Sequence, residues 1–230
     1  MFEEYKYKTE LHAHTSPVSG CSHILPEQLV DTYVAKGFTS VAITNHFMYD
    51  ANGCPDPSKK IENYLNDYYK AKNYAKQFGL NIILGCEARV SENENDYLIY
   101  GIVDEDLYKI ESVLDNDIKG FYKAVKNNTN MIFQAHPFRN GMEEADLNSI
   151  DGIEAFNLHP KHNSRVGVAA RYARQHNLQI ICGSDFHDEG CDALCSIMTK
   201  VPVVDSIQLA EILKKKEYII DISGYKLTVD

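Results

Sequence analysis

Short apolar runs alternate along this chain with longer segments in which apolar residues recur at helical spacing. The short runs have the length of strands and are bounded by turn-forming residues. The strands predicted in this way cover residues 8–14, 40–46, 82–86, 97–103, 131–136, 152–157 and 179–185. Because helical segments separate most of these runs, the pattern predicts βα units and a parallel sheet.

The helical segments carry start and stop signals of their own. Pro26 suits the first turn of one helix, and Gly37 is placed to end it. A second helix runs from about Ser58 to Gly79, after a loop that contains Gly53 and Pro55. Further helices are predicted over residues 118–125, 164–176 and 206–215, and a short extended tail follows.

The order of these elements favours one α/β domain over residues 1–230. No linker-like or low-complexity segment interrupts the chain. The repetition of about seven strands is close to that of a barrel. A doubly wound open sheet is the main alternative, although no glycine-rich phosphate loop follows the first strand.

Composition narrows the range of functions. The hydrophobic content of 44% is that of an ordinary globular protein, and no apolar run approaches the roughly 20 residues that span a membrane. A net charge of −10, without a basic stripe, disfavours an extended nucleic-acid surface. The first residues lack a secretory signal, so we expect a cytoplasmic protein whose six cysteines are reduced. The sequence assigns no role to Cys21 and does not indicate an oligomeric state.

Ionisable side chains follow the apolar runs at their carboxyl ends. His12 and His14 would share one face of the first strand, since side chains alternate along a strand. An isolated pair of this kind is equally well explained by histidines bonded to the backbone. The repetition at later strand ends favours metal binding, because buried charges need partners and barrel strands end at one rim. The strand-end residues are His12, His14, His46, Glu87, His136, Asp185 and His187.

Five short motifs contain these residues, and they occur at positions 12–15 (HAHT), 43–46 (ITNH), 85–87 (GCE), 135–137 (AHP) and 183–187 (GSDFH). In type and order they resemble the motifs of the PHP (polymerase and histidinol phosphatase) superfamily. The resemblance implies a distorted (βα)7 barrel that binds two or three divalent ions, of zinc, manganese or iron. It places one ion among His12, His14, Glu87 and Asp185, a second between Glu87 and His136, and a third at His46 and His187.

Two expected ligand positions are left open. Many family members have an aspartate or histidine seven or eight residues after the first histidine, where this chain has Ser19 and Gly20. The nearest candidate is His23, and a two-ion centre is the alternative. Some relatives supply a ligand to the second ion from the loop after the sixth strand, where His162 is better spaced and His159 is the reserve.

The chemistry of such a centre suits the hydrolysis of a phosphate ester, since paired divalent ions activate water and neutralise phosphate oxygens. Arg89, Arg139 and Arg165 lie close enough to the motifs to bind a phosphate, although surface salt bridges would explain them equally well. General-acid assistance would come from His46 or Asp185.

We therefore expect a metal-dependent phosphatase that acts on a small phosphate monoester, with histidinol phosphate as one example. The alternatives are a phosphodiesterase or exonuclease on short nucleotides, and a metal-binding regulatory module without turnover. Neither a membrane nor an extended nucleic acid is expected as a partner.

Overall fold

A computed structural model describes residues 2–48 and 56–229. The loop expected around Gly53 and Pro55 lies outside the described residues. The strands are β1 Tyr7–Ala13, β2 Ser40–Ile43, β3 His46–Met48, β4 Asn81–Leu84, β5 Cys86–Arg89, β6 Asp96–Tyr100, β7 Met131–Gln134, β8 Gly152–Asn157, β9 Gln179–Gly183, β10 Cys195–Thr199, β11 Tyr218–Ile222 and β12 Tyr225–Leu227. The helices are α1 Pro26–Ala35, α2 Pro57–Ala75, α3 Asp106–Glu111, α4 Ile118–Val125, α5 Val166–His176 and α6 Ser206–Lys214.

The predicted elements are present, with three differences. The runs at residues 40–46 and 82–86 are each divided, into β2 and β3 and into β4 and β5. Helix α3 and strand β10 were not predicted, and β10 mixes buried polar residues with apolar ones, which hides its pattern. The expected extended tail is a hairpin of β11 and β12. Gly37 and Gly79 both have positive φ at the ends of their helical segments, as their placement predicted.

The strands form a mixed α/β fold with two six-stranded sheets. One sheet has the order β12-β11-β10-β1-β2-β4, and the other has the order β3-β5-β6-β7-β8-β9. Since β3 continues the chain direction of β2, and β5 that of β4, the two sheets are joined along these strands. Among the described residues, no helix is long and apolar enough to cross a membrane.

The expectation of a parallel sheet is wrong at β6 and at the carboxyl-terminal strands. Strand β6 runs antiparallel to both of its neighbours, β5 and β7. Only residues 90–95 connect β5 to β6, which is too short for the crossover that parallel strands require. Strand β10 is likewise antiparallel to β1 and to β11. The antiparallel direction of β6 matters for the site described below, because its amino end lies where the other strands have their carboxyl ends.

Strands of both sheets share one apolar core. This core includes one side chain from each of six strands, β1, β2, β4, β6, β7 and β9. These side chains are Leu11, Ala42, Ile83, Leu98, Phe133 and Ile181. A larger apolar cluster lies between the sheets and the helices and includes the buried faces of α1, α2 and α4. The sheets therefore pack around a common interior, and the helices cover their outside.

A fully buried carboxylate joins β1 to the segment that follows β9. The Glu10 carboxylate accepts hydrogen bonds from the backbone N–H groups of His12 (3.0 Å) and Ser184 (2.9 Å). It also accepts hydrogen bonds from the hydroxyls of Ser184 (2.6 Å) and Tyr33 (2.9 Å). Burial raises the pKa of Glu10, while these donors favour its ionised form. Next to this contact, His14 N–H donates to the carbonyl of Phe186, and Phe186 N–H donates to the carbonyl of His12.

Removal of one donor to Glu10 tests the contribution of this contact to stability. We expect Tyr33→Phe to lower the free energy of unfolding by about 1–2 kcal/mol, because a buried carboxylate oxygen loses its hydroxyl partner. The control is Tyr74→Phe, since Tyr74 bonds to Asp31 at the surface and should contribute about 0–0.5 kcal/mol. Urea unfolding of both variants measures the difference. Equal midpoints for the two variants would contradict a structural role for the Glu10 contact.

Candidate metal centre

Four histidine rings surround the carboxylate of Glu87, which follows β4 and is completely buried. Its Oε1 lies 3.1 Å from His136 Nε2 and 3.2 Å from His12 Nε2. Its Oε2 lies 2.9 Å from His46 Nδ1 and 3.3 Å from His14 Nε2. His12 and His14 lie at the end of β1, His46 begins β3 and His136 follows β7, so the fold brings together residues that are far apart in sequence.

A second carboxylate, that of Asp185, faces the same rings from the end of β9. Its Oδ1 lies 3.4 Å from both His12 Nε2 and His14 Nε2, and 3.3 Å from His187 Nδ1. Asp185 has a φ of 53°, and His136 a φ of 29°. Such values are unusual outside glycine, and strained residues of this kind cluster at functional sites. All seven strand-end residues expected from the sequence therefore lie in one cluster.

The donor atoms in this cluster fit a divalent cation. Five buried side-chain atoms have no hydrogen-bond partner: His12 Nε2, His14 Nε2, His46 Nδ1, Glu87 Oε2 and His136 Nδ1. Unpaired burial of so many polar atoms is costly unless an ion or water bonds to them. Within the described part of the chain, four sets of side chains each place three potential ligand atoms within 4.8 Å of one another. These sets are His12, His14 and Glu87; His12, His136 and Asp185; His14, His46 and His187; and His46, Glu87 and Asp96.

The pKa values of the two buried carboxylates in the cluster favour their ionised forms. Burial raises the pKa of Glu87, but His12 and His46 outweigh burial and hold this pKa well below its usual value. Asp185 behaves in the same way, with His12 as the main opposing group. Burial and the neighbouring His187 keep the pKa of His14 well below its usual value, so this ring is neutral at pH 7. Ionised carboxylates and a neutral imidazole are the forms that coordinate metal ions.

Asp96 belongs to the cluster and was not predicted. Its side chain is buried, and its Oδ2 lies 3.8 Å from His136 Nε2. Arg89 donates to Asp96 through Nε at 2.7 Å and Nη2 at 2.8 Å. Ligands were predicted only at the carboxyl ends of parallel strands. Asp96 was missed because it stands at the amino end of the antiparallel strand β6. A carboxylate directly before an apolar run was the signal that could have revealed it.

Glu154 is a second buried carboxylate that was not predicted as part of the site. Its Oε1 accepts from His12 Nδ1 at 2.9 Å, and its Oε2 accepts from the backbone N–H of His136 at 3.0 Å. His14 is held in a similar way, because its Nδ1 lies 3.1 Å from the hydroxyl of Ser19. These contacts leave Nε2 of both His12 and His14 directed towards Glu87 and Asp185. Such partners orient ligating histidines and fix their tautomers.

The three alternative ligands considered from the sequence, His23, His159 and His162, occupy different places. His23 has a side chain that is 79% exposed, and its Nδ1 bonds to Asp188 at 2.7 Å. His162 is exposed, and its ring lies 4.5 Å from that of the buried His159, whose ring is 5.7 Å from that of His187. His159 and His162 line the cavity over the cluster, whereas His23 is not one of its lining residues.

Cys21 lies closer to the cluster than His23 does. It lines the same cavity as His46 and His187. Burial raises the pKa of Cys21, but hydrogen bonds with His187 and His46 lower it to about 6.

The cavity above the cluster has a volume of about 490 Å³ and carries several cationic side chains. Arg89, Arg139 and Lys161 line it. Arg139 donates to Asp185 and, at 3.0 Å, to Asn157. Arg165 is not a lining residue, and its guanidinium donates instead to the carbonyl of Phe138 and to the side chain of Asn140. Lys161 was not predicted, and its side chain also lines the cavity.

The chain is similar to known proteins in sequence and in fold. Residues 10–223 match the PHP domain family. Over 145 residues the chain is 28% identical to a "DNA polymerase III polC-type" of Streptococcus pyogenes serotype M3. The match covers 63% of this chain and 9% of the polymerase, so the chain spans less than a tenth of that relative's length.

Two solved structures share the fold. One is a two-domain protein from Bacteroides vulgatus that contains a predicted PHP-like metal-dependent phosphoesterase, with a TM-score of 0.70 and 16% identity over 97% of this chain and 67% of that one. The other is PsfC from Pseudomonas syringae, with a TM-score of 0.61 and 14% identity over 90% of this chain and 87% of that one. At these identities the likeness establishes the fold alone.

The role of Glu154 in orienting His12 is testable. We expect Glu154→Gln to weaken zinc binding by about 10–100-fold, because an amide supports the ligating tautomer less well than a carboxylate does. Zinc titration of the metal-free protein measures the change. The control is Glu144→Gln, since Glu144 bonds only to Tyr172 at the surface among the described contacts. Unchanged zinc affinity in Glu154→Gln would contradict the orienting role.

Proposed function

This chain belongs to the PHP domain family, and we propose that it is a metal-dependent phosphoesterase that hydrolyses a small phosphate monoester. The observation that carries the proposal is the position of the histidine–carboxylate cluster at the base of a cavity lined by cations. Neither feature alone would indicate this reaction, since structural metal sites and surface arginines are both common.

His12, His14, Glu87 and Asp185 would hold one divalent ion, and Glu87 and His136 would share a second. Asp96 lies close enough to His136 to be a further ligand of this second ion. When bound, such ions lower the pKa of water and neutralise phosphate oxygens. His46 and Asp185, the proton donors considered from the sequence, both face the carboxylate–histidine cluster, so in this proposal they hold ions and do not transfer protons.

The chain's own cations would bind the substrate. The guanidinium of Arg139 reaches Asp185, and that of Arg89 reaches Asp96, so each is fixed beside a proposed ion ligand. Guanidinium groups match phosphate oxygens in geometry and charge. Lys161 lies at the exposed side of the cavity, paired with Asp188, where it would attract an anion without contacting the cluster.

The proposal also covers the barrel architecture, the domain organisation, the partners and the ions. We propose that β1 to β9 form the distorted (βα)7 barrel, because six of these strands contribute to one core and because β1 bonds to the segment after β9. We propose one domain, a small phosphorylated substrate, and neither membrane nor extended nucleic acid as partner. Zinc, manganese and iron are the ions that this donor set accepts.

A second candidate function is the hydrolysis of phosphodiesters in short nucleotides. The likeness to a polymerase of 28% identity over 145 residues favours it. The net charge of −10 opposes it, because nucleic-acid binding depends on neutralising phosphates. Oligonucleotide hydrolysis that weakens steeply with added salt would support this candidate over the monoesterase.

Metal removal is the direct test of the proposed function. We expect chelation to reduce hydrolysis of p-nitrophenyl phosphate to background, and addition of zinc or manganese to restore it. Glu87→Gln should not recover after the same addition, because the carboxylate shared by four histidines is lost. Metal content and turnover are measured on the same samples. Full turnover in protein shown to be free of metal would contradict the proposal, and bound metal without turnover on any ester would favour a regulatory module.

The cationic side chains that line the cavity give a separate prediction for substrate binding. We expect Arg139→Gln to lower kcat/KM for a phosphate monoester by about 10–100-fold, equivalent to about 1.4–2.8 kcal/mol, because a charge-assisted contact to phosphate is lost. Arg171→Gln is the control, since Arg171 is exposed on α5 and does not line the cavity. Steady-state kinetics at matched metal content measure both variants, and an equal kcat/KM for both would exclude Arg139 from substrate binding.

A further inference from the structure

We propose that Asn157, the last residue of β8, is a positioning residue that couples the substrate-binding Arg139 to the proposed metal centre. Its one buried amide sets the direction of the Arg139 guanidinium and the orientation of the carboxylates of Asp185 and Glu154. The inference rests on the proposed metal-dependent function, and it deepens that function by linking the binding of phosphate to the binding of the ions.

The first observation is the set of partners of the amide. Asn157 is 2% exposed, and its Nδ2 donates to Glu154 Oε2 at 3.0 Å and to Asp185 Oδ2 at 3.2 Å. Its Oδ1 accepts from Arg139 Nη2 at 3.0 Å and from the hydroxyl of Ser164 at 3.0 Å. The amide therefore has carboxylates on its nitrogen side and donors on its oxygen side.

The chemistry of these partners explains why the residue is an asparagine. A guanidinium only donates hydrogen bonds, and an ionised carboxylate only accepts them. A side chain between the two must accept on one side and donate on the other. An asparagine amide has two N–H donors and an oxygen with two lone pairs, so it can make all four of the bonds described. A carboxylate at position 157 would face Asp185 and Glu154 without a proton to donate.

The contacts of Asp185 show how the amide acts on ion binding. Its Oδ2 is occupied by Asn157 Nδ2 and Arg139 Nη2, whereas its Oδ1 faces three histidine rings at 3.3–3.4 Å. The carboxylate therefore presents one oxygen, Oδ1, to a proposed ion. Glu154 connects the same amide to another ligand, because its Oε1 accepts from the ring of His12. Partners of this kind orient metal ligands.

The contacts of Arg139 show how the amide acts on substrate binding. The Nη2 atom is used by Asp185 and Asn157, whereas Nε is buried and has no hydrogen-bond partner. The guanidinium is therefore fixed through one nitrogen and retains an unused donor. Because Arg139 lines the cavity, we expect a phosphate bound there to accept from that donor.

A shift in strand pairing brings Asn157 to the site. In a regular strand, residues three positions apart point to opposite faces, so Glu154 and Asn157 would not meet. The register between β8 and β9 shifts between Glu154 and Phe156. With this irregularity, the side chains of Glu154 and Asn157 bond to each other at 3.0 Å. Alternation along residues 152–157 therefore does not predict the pair.

Zinc titration tests the inference without reference to turnover. We expect Asn157→Ala to weaken zinc binding by the metal-free full-length protein about 10-fold, because Asp185 and Glu154 lose a shared donor. The control is Asn130→Ala, since Asn130 is also buried but, among the described contacts, its side chain bonds only within residues 125–130. Unchanged zinc affinity in Asn157→Ala would overturn the inference and leave the proposed function intact. Wild-type protein that binds neither zinc nor manganese would overturn both.

A double-mutant cycle tests the coupling to Arg139. At saturating zinc, we expect Asn157→Ala alone to lower kcat/KM for p-nitrophenyl phosphate by about 5–10-fold. In the Arg139→Gln background the same change should lower it by less than about twofold, because the guanidinium that Asn157 positions is absent. A purely structural role would lower kcat/KM by the same factor in both backgrounds, and that result would overturn the coupling.

A milder variant keeps the cycle informative if Asn157→Ala does not fold. Ser164→Ala removes only the hydroxyl that bonds to Asn157 Oδ1. We expect it to lower kcat/KM by about 2–3-fold alone, with no further loss in the Arg139→Gln background. Equal losses in both backgrounds would again overturn the coupling. Absence of turnover in wild-type protein that binds zinc would contradict the proposed phosphoesterase, while the zinc titration would still decide the role of Asn157.

Discussion

The burial of Glu87 is the constraint on which the arrangement of the site depends. A carboxylate removed from water costs several kcal/mol unless charges or hydrogen bonds compensate it. Here four imidazoles lie within 3.3 Å of it, from β1, β3 and the segments after β1 and β7, and those of His12 and His46 lower its pKa. The strands must therefore end at one place for the protein to tolerate this residue. The same arrangement leaves ring nitrogens without partners, and this is why a cation fits there.

Two further buried carboxylates stabilise this arrangement through hydrogen bonds. Glu10 bonds to the backbone of both His12 and Ser184, and so connects β1 to the segment that carries Asp185. Glu154 bonds to the ring of His12 and to the backbone of His136. Glu154 thus fixes two potential ligands relative to each other, and Glu10 fixes His12 relative to the segment that carries Asp185. Precision of this kind matters because a metal site requires its donors within a few tenths of an ångström.

The lining of the cavity combines cationic and acidic side chains. The chain carries a net charge of −10, yet Arg89, Arg139 and Lys161 line the cavity above the histidine cluster. Each of these cations is paired with a carboxylate, so each is positioned and not simply attracted to the surface. Fixed cations beside the proposed ion ligands suit a small anionic ligand, which can enter the cavity, better than an extended polyanion, which would also meet the surface of an acidic protein.

The sequence by itself determined most of the helices and strands, apart from α3 and β10, and the seven strand-end residues that the structure brings together. Both follow from local rules: apolar periodicity sets the elements, and a polar residue after a buried run, as at His46 or Glu87, is readable without knowledge of contacts. The tertiary structure alone decided the direction of β6, and with it the place of Asp96, because strand direction depends on pairing and not on composition. It likewise decided that His23 lies at the surface while Cys21 lines the cavity, since loop residues two positions apart have no periodicity that fixes where they point.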